Sequence, residues 1–195
     1  MSYRIEDKLY FKPENILQFK NFLKNKSAKK LYDNRNIKSL YFDNINLDMY
    51  RDSVEGSVPR KKIRIRHYPD TKDKNYYLEV KTSSIEGRYK TRKIISNNEY
   101  ELYKKNGIFD PIYGTCIPNF YVSYKREYVE IGDVRISIDE KILYENFLSN
   151  NVFFEDKLIV ELKTSINKNK DDFIKDFPFQ KIRFSKYCFA VENLN

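Results

Sequence analysis

The sequence predicts an α+β fold of about eight mostly antiparallel strands with a few flanking helices, and three features predict it. Charged and apolar residues alternate in Lys62-Ile-Arg-Ile-Arg66, Leu78-Glu-Val-Lys-Thr82, Arg135-Ile-Ser-Ile-Asp139 and Val160-Glu-Leu-Lys-Thr164. Turn chemistry at Pro69-Asp70, Glu86-Gly87 and Gly132-Asp133 separates neighbouring runs at short intervals, which favours hairpins over long crossovers. Helical periodicity and capping signals occur at only a few places between the runs.

Successive side chains of a strand point to opposite faces, so each run lays its charges along one face and its Ile, Val and Leu along the other. Residues 3 to 11 read as the first strand, with Arg4, Glu6 and Lys8 aligned opposite Ile5 and Leu9. Pro13 then opens an amphipathic helix through Ile16, Leu17, Phe19, Phe22 and Leu23, followed by a basic polar loop from Lys24 to Asn36. Strand signals return at 37 to 43, 58 to 68, 75 to 83 and 89 to 95. Ser96-Asn-Asn-Glu99 has the spacing of a capping box and Gly107 is a helix stop, which predicts a short helix over 97 to 106. Strands at 120 to 131 and 134 to 144 flank the Gly132-Asp133 hairpin. Tyr124, Arg126 and Tyr128 alternate with Ser123, Lys125 and Glu127, so neither face of the first of these is apolar and it reads as wet on both sides. A loop, a strand at 158 to 164, a short helix around 171 to 177 and a terminal segment from Phe184 complete the chain. No repeat, linker or break in composition divides residues 1 to 195, which read as a single domain.

Composition narrows the partners. With 37 Lys+Arg against 28 Asp+Glu, the net charge of +9 favours anionic ligands: phosphate chains, nucleotides, nucleic acid or acidic membranes. Cys116 and Cys188 are isolated in sequence, and His67 is the only histidine, which excludes a zinc site of Cys/His type. Two reduced cysteines, no apolar run approaching roughly 18 residues and no signal-peptide core give a cytoplasmic expectation. The glycosylation triplet Asn25-Lys-Ser27 reads as chance on the same grounds.

The shared polar face carries Arg64, Arg66, Lys81, Lys90, Arg92, Arg135 and Lys163 as cations, with Glu6, Glu79, Asp139 and Glu161 placed singly among them. An ordinary half-buried sheet would turn such a face to water, but would also mix in Ser, Thr and Gln. If the face lines a lumen, two unit charges ~8 Å apart at an effective dielectric of ~20 repel by roughly 2 kcal/mol. A bound anion relieves that repulsion. Arginine forks grip phosphate oxygens, lysines add point charges, and the carboxylates can hold a hard divalent cation that bridges phosphates.

Ser39-Leu-Tyr-Phe-Asp43, Arg60-Lys-Lys-Ile-Arg-Ile-Arg-His-Tyr68, Leu78-Glu-Val-Lys81, Lys90-Thr-Arg92, Tyr124-Lys-Arg126, Arg135-Ile-Ser-Ile-Asp139, Val160-Glu-Leu-Lys163 and Phe184-Ser-Lys-Tyr187 follow one another along nearly the whole chain. In that order they resemble the VTC domain, the polyphosphate polymerase branch of the triphosphate tunnel metalloenzymes. The resemblance implies an antiparallel β-tunnel that holds ATP and a growing polyphosphate chain, with Mn²⁺ or Mg²⁺ as the ion. Carried over, Lys8, Arg64, Arg66, Lys81, Lys90, Arg126, Arg135 and Lys186 look like phosphate ligands, Ser185 like a helper and Glu161 like the metal ligand. The family's Ser-Lys-Tyr motif opens a terminal helix, for which only Cys188 to Asn195 remain here, so that helix must be short or the motif lies on a strand.

The implied reaction moves the γ-phosphoryl group of ATP to a chain end that is already anionic, so no strong base is demanded. His67 falls on the Ile63-Ile65 face, away from the charges. Relatives that hydrolyse triphosphates or cyclise ATP carry Glu-x-Glu-x-Lys on the first strand, whereas this chain has Arg4-x-Glu6-x-Lys8, which favours the polymerase branch. A non-enzymatic polyphosphate- or nucleic-acid-binding module is the reading from another class. Single-strand binders interleave aromatic with basic residues, and the clean strands here show no aromatic platform, so nucleic acid is not the expected partner.

Overall fold

A computed structural model describes residues 4–72, 75–165 and 181–194, with residues 4–6 and 165 described through the backbone alone. Eleven strands and four α-helices make a mostly antiparallel α+β arrangement among these residues. The strands are β1 (Arg4–Phe11), β2 (Lys29–Asp43), β3 (Arg60–His67), β4 (Tyr76–Ser84), β5 (Gly87–Ile95), β6 (Ile108–Asp110), β7 (Gly114–Ile131), β8 (Val134–Asn146), β9 (Val152–Glu155), β10 (Leu158–Ser165) and β11 (Lys181–Ile182). The helices are α1 (Ile16–Asn25), α2 (Asp48–Glu55), α3 (Asn97–Asn106) and α4 (Lys186–Leu194). The hydrogen-bonding order is β11-β1-β10-β8-β7-β2-β3-β4-β5, with β6 on β7 and β9 on β8, and this path does not close on itself.

The strand count exceeds the expected eight because β6, β9 and β11 are three, four and two residues long, too short for alternation to register. The loop expected over Lys24 to Asn36 is mostly strand. The helix ends in a tight turn in which Ala28 N–H reaches the Leu23 carbonyl at 2.9 Å, and β2 begins at Lys29. Nearly every side chain from Lys29 to Asn36 is exposed, so no apolar period marks that half. The helix expected around 171 to 177 lies outside the described residues.

The described residues within Met1–Arg35, Tyr124–Ile142 and Glu155–Phe184 form one compact unit. In it β1, β10 and β8 are in antiparallel register, Leu9 opposite Val160 and Val160 opposite Ile138. Their apolar face packs under α1, where Leu9, Phe11, Phe19, Val129, Ile136, Ile138, Leu158, Val160 and Leu162 make a core. Burying an aliphatic or aromatic side chain of this size contributes about 1.5–3 kcal/mol. β7 is not wet on both sides here: Tyr124 and Val129 are buried, and the Arg126 side chain is only 14% exposed.

The described residues within Asn36–Ser123, Leu143–Phe154 and Ser185–Asn195 form the other unit. Leu40 pairs with Ile65 and Phe42 with Ile63, and this face packs against Met49 of α2 and Tyr100 of α3. The predicted capping box is present on α3, with Ser96 accepting from Glu99 N–H and the Glu99 carboxylate returning to Ser96 N–H. The start of helix α2 is fixed by a carboxylate at the end of β2. Asp43 accepts the backbone N–H groups of Asn44, Met49 and Tyr50 at 2.8, 3.0 and 3.0 Å, and Leu47 turns the chain at φ 56°. The Tyr187 hydroxyl of α4 donates to the same carboxylate at 2.6 Å.

Asp43 therefore joins the end of β2 to the starts of α2 and α4. Replacing it strands several buried donors, so Asp43→Ala should destabilise the fold by roughly 3 kcal/mol in urea unfolding. A loss below the scatter of the measurement would show that water takes over those donors.

Candidate functional site

The antiparallel register of the second unit sorts the polar side chains of β2 to β5 into rows. Lys62, Lys81 and Lys90 lie opposite one another in one row. Tyr41, Arg64, Glu79 and Arg92 form the next, and Ser39, Arg66, Tyr77 and Ile94 the third. The alternating sequence dictates this sorting, because Ile63, Ile65, Leu78 and Val80 must face the core.

Glu79 is the centre of the face and is 1% exposed. Arg64 donates Nε to its Oε2 at 2.8 Å and places Nη2 2.6 Å from the same oxygen. Lys90 Nζ meets Oε1 at 2.5 Å, with Arg92 Nε at 3.7 Å and Arg66 Nη1 at 3.9 Å. Burial raises the Glu79 carboxyl, but Arg64, Arg66 and Lys90 outweigh it and hold the group down at about 2. For Lys90, burial and then the repulsion of Arg64 and Arg66 lower the ammonium pKa in spite of Glu79. Arg64 Nη1 also donates to the Tyr41 hydroxyl at 2.9 Å. Burial raises the Tyr41 phenol, yet Arg64 and Arg66 bring it down to about 8.

The Ser-Lys-Tyr segment completes this face as a helix start. Ser185 Oγ accepts from Cys188 N–H at 3.4 Å and from Lys62 Nζ at 2.8 Å. Lys186 is the first residue of α4, close enough to contribute to the field that lowers the Tyr41 phenol. The Tyr187 ring stacks on Tyr41 with centroids 5.4 Å apart and planes 17° apart, which anchors the short helix.

The first unit holds a separate polar cluster on the face opposite its core. Arg126 grips Asp139 with two hydrogen bonds, at 2.5 and 2.8 Å, and its guanidinium lies 5.2 Å from the Tyr124 ring centroid. Burial opposes the charge on Arg126, while Tyr124 and Asp139 raise its pKa well above the usual arginine value. Lys8 and Ser137 are opposite Glu161 in the ladder, and Glu6 and Arg135 are opposite Lys163. Lys8 Nζ donates to the Phe184 carbonyl at 2.6 Å, and Lys163 Nζ lies 3.5 Å from Glu161. The Arg135 side chain is exposed, and nothing is described of the Glu6 side chain.

Glu79 and Asp139, expected as metal ligands, contact Arg64 and Lys90 and Arg126 respectively. Among the described residues no three His, Cys, Asp or Glu side chains converge. Beside Glu161, the buried Ser137 Oγ on the adjacent strand has no hydrogen-bond partner among the described residues. A carboxylate beside an orphaned hydroxyl suits a hard cation that completes its shell with phosphate oxygens.

Lys62, Tyr41 and Asp43 belong to the second unit's site but were not singled out as ligands. Each sits on the polar face of a strand whose alternation was plain, so parity alone could have found them. His67 behaves as anticipated: it is half-buried, 5.4 Å from the Tyr76 ring, and burial followed by Lys38 lowers its pKa.

The sequence matches the family described as the VTC domain over residues 3–195. The chain has the fold of an adenylate cyclase candidate from Bacillus halodurans, at 12% identity over 100% of this chain and 98% of that one, with a TM-score of 0.63. A second adenylate cyclase candidate, from Vibrio parahaemolyticus, aligns at 11% identity over 98% of both chains, with a TM-score of 0.59. Identities this low show the fold alone. Comparison with curated proteins gives no match.

The depressed Glu79 carboxyl has a measurable signature. Its stabilisation is present above the ordinary value of 4.5 and is lost as pH falls through about 2. A depression of that size corresponds to roughly 3 kcal/mol. Glu79→Gln should therefore unfold more easily than the parent at pH 7, and the two should converge as the acid limit is approached in denaturant titrations. Parallel pH profiles would show that Glu79 does not carry the charge balance of this face.

Proposed function

The chain belongs to the VTC domain family, and from that premise we propose that it is a metal-dependent polyphosphate polymerase, transferring the γ-phosphoryl group of ATP to the end of a polyphosphate chain. The family and the fold support a protein of the polyphosphate- and triphosphate-related tunnel type. The observation that carries the finer reading is the charge ratio around Glu79. One buried carboxylate contacts Arg64, Arg66, Lys90 and Arg92, and Lys62 and Lys81 lie on the same face. A polyanion supplies the compensation that a single glutamate does not.

In this reading the lysine row provides point charges for phosphate oxygens, with Ser185 and Lys186 beside it. Arg64 and Arg66 are held by Glu79, Tyr41 and Ser39 before any ligand arrives. Their charge is therefore already oriented, and little reorganisation is needed as the transferring group develops charge. Arg92 belongs to the same set. Lys8, Arg126, Arg135 and Lys163 in the first unit have the same phosphate-binding chemistry. The acceptor is an anionic phosphate oxygen, so the reaction demands no strong base.

Proteins of this family are generally dependent on a divalent metal. Glu161, with Ser137 beside it, would hold the ion, as Mn²⁺ or Mg²⁺. Bound there, it would neutralise charge on the phosphoryl oxygens. No helix among the described residues is long and apolar enough to cross a membrane.

Purified protein given ATP and Mn²⁺ should form long-chain phosphate that resolves as a ladder on a gel. Products limited to ADP and free phosphate would assign the chain to the hydrolases of this fold. Binding without turnover would make it a polyphosphate-binding module. Glu161→Gln should abolish metal-dependent turnover while keeping tripolyphosphate affinity, and full activity in that variant would remove Glu161 from the mechanism.

A further inference from the structure

The polar face of β3 to β5 changes character along its length. After the rows led by Lys62 and Arg64 comes the row of Arg66, Tyr77 and Ile94, and Tyr68 follows just beyond the end of β3. Tyr68 and Tyr77 do not belong to the apolar core beneath the sheet, which is made by Ile65, Leu78 and Val80 on the other face. Their rings lie 5.8 Å apart at 68°. The Arg92 guanidinium sits 3.7 Å from the Tyr77 ring centroid and 6.0 Å from that of Tyr68, and Nη2 donates to the Tyr68 hydroxyl at 3.4 Å. The Arg92 side chain is 41% exposed and Ile94 is 61% exposed. At the end of the charged rows, then, a part-exposed guanidinium lies against the Tyr77 ring, and Tyr68 stands edge-on beside the pair.

We propose that this rim is a nucleobase subsite, where the purine of a nucleoside triphosphate stacks on the Arg92–Tyr77 pair beside Tyr68 while its phosphates occupy the cationic rows. The inference rests on the phosphate-binding reading of those rows. Side chains on one face of a strand repeat every ~7 Å, so Tyr77 lies ~14 Å along the sheet from the lysine row. That is the reach of an extended triphosphate with its ribose. Flat rings and a guanidinium accept any π-face, so stacking here distinguishes a nucleotide from inorganic triphosphate.

The test is calorimetric titration of the intact chain, with Mg²⁺, by ATP, GTP, ribose 5-triphosphate and tripolyphosphate. ATP and GTP should bind about tenfold more tightly than ribose 5-triphosphate, the gain expected for stacking one base. The double variant Tyr68→Leu, Tyr77→Leu should bring ATP down to the ribose 5-triphosphate level and leave tripolyphosphate unchanged, while the corresponding Phe pair keeps the preference. ATP binding no better than ribose 5-triphosphate to the parent chain would overturn the subsite without recourse to any variant. So would an equal loss of ATP and tripolyphosphate in a folded Leu variant, or a single-stranded oligonucleotide binding more tightly than ATP. Tripolyphosphate failing to bind the parent chain would strike at the phosphate-binding reading itself, and the subsite would fall with it.

Discussion

Glu79 stands where four cations meet, and the order of the second unit's polar face depends on that contact. Charges a few ångströms apart on neighbouring strands would repel strongly in a half-buried setting. The carboxylate lets Arg64 and Lys90 share one anchor, and Tyr41 takes another Arg64 donor. The network also explains why the face stays cationic. A second glutamate in the Lys81 position of the same strand would pair off much of the lysine row's charge, whereas the observed ratio leaves that charge to be answered by a ligand. In the first unit Asp139 holds Arg126 through two hydrogen bonds, one to each carboxylate oxygen.

The strands and the parity of their faces were legible because a period of two is a strong signal wherever aliphatic residues fill every second position. Arg64, Glu79, Lys81 and Lys90 could thus be placed on one face before any coordinates, and His67 on the other. The capping box of α3 was legible for a similar reason, since its chemistry is local. Long-range satisfaction was not. Helix α2 begins where Asp43, several residues earlier, supplies a carboxylate to its free N–H groups. The exposed half of β2 is held by backbone pairing and shows no burial pattern. Arg126 looked solvent-facing because its neighbours in sequence are polar, yet its partner Asp139 lies on the next strand.

The same division applies to the candidate site. The sequence placed carboxylates among cations but not their pairing, so the contacts of Glu79 with Arg64 and Lys90 and of Asp139 with Arg126 were not legible. The aromatic rim escaped notice because Tyr68 and Tyr77 come from opposite sides of a turn and Arg92 from a third strand. Only register brings them together. The phenol of Tyr41, buried and yet held at about 8, is likewise a product of neighbours far away in sequence.

The contacts that assemble the second unit's polar face span the chain. Lys62 reaches Ser185 across 123 positions and Asp43 reaches Tyr187 across 144. Closing loops of that length is slow compared with forming local hairpins. During synthesis, then, β3 to β5 can pair long before Ser185 leaves the ribosome, and the nascent molecule carries its crowded lysines and arginines without their last neighbours. Competence arrives as a late event in maturation, coupled to the docking of a nine-residue helix.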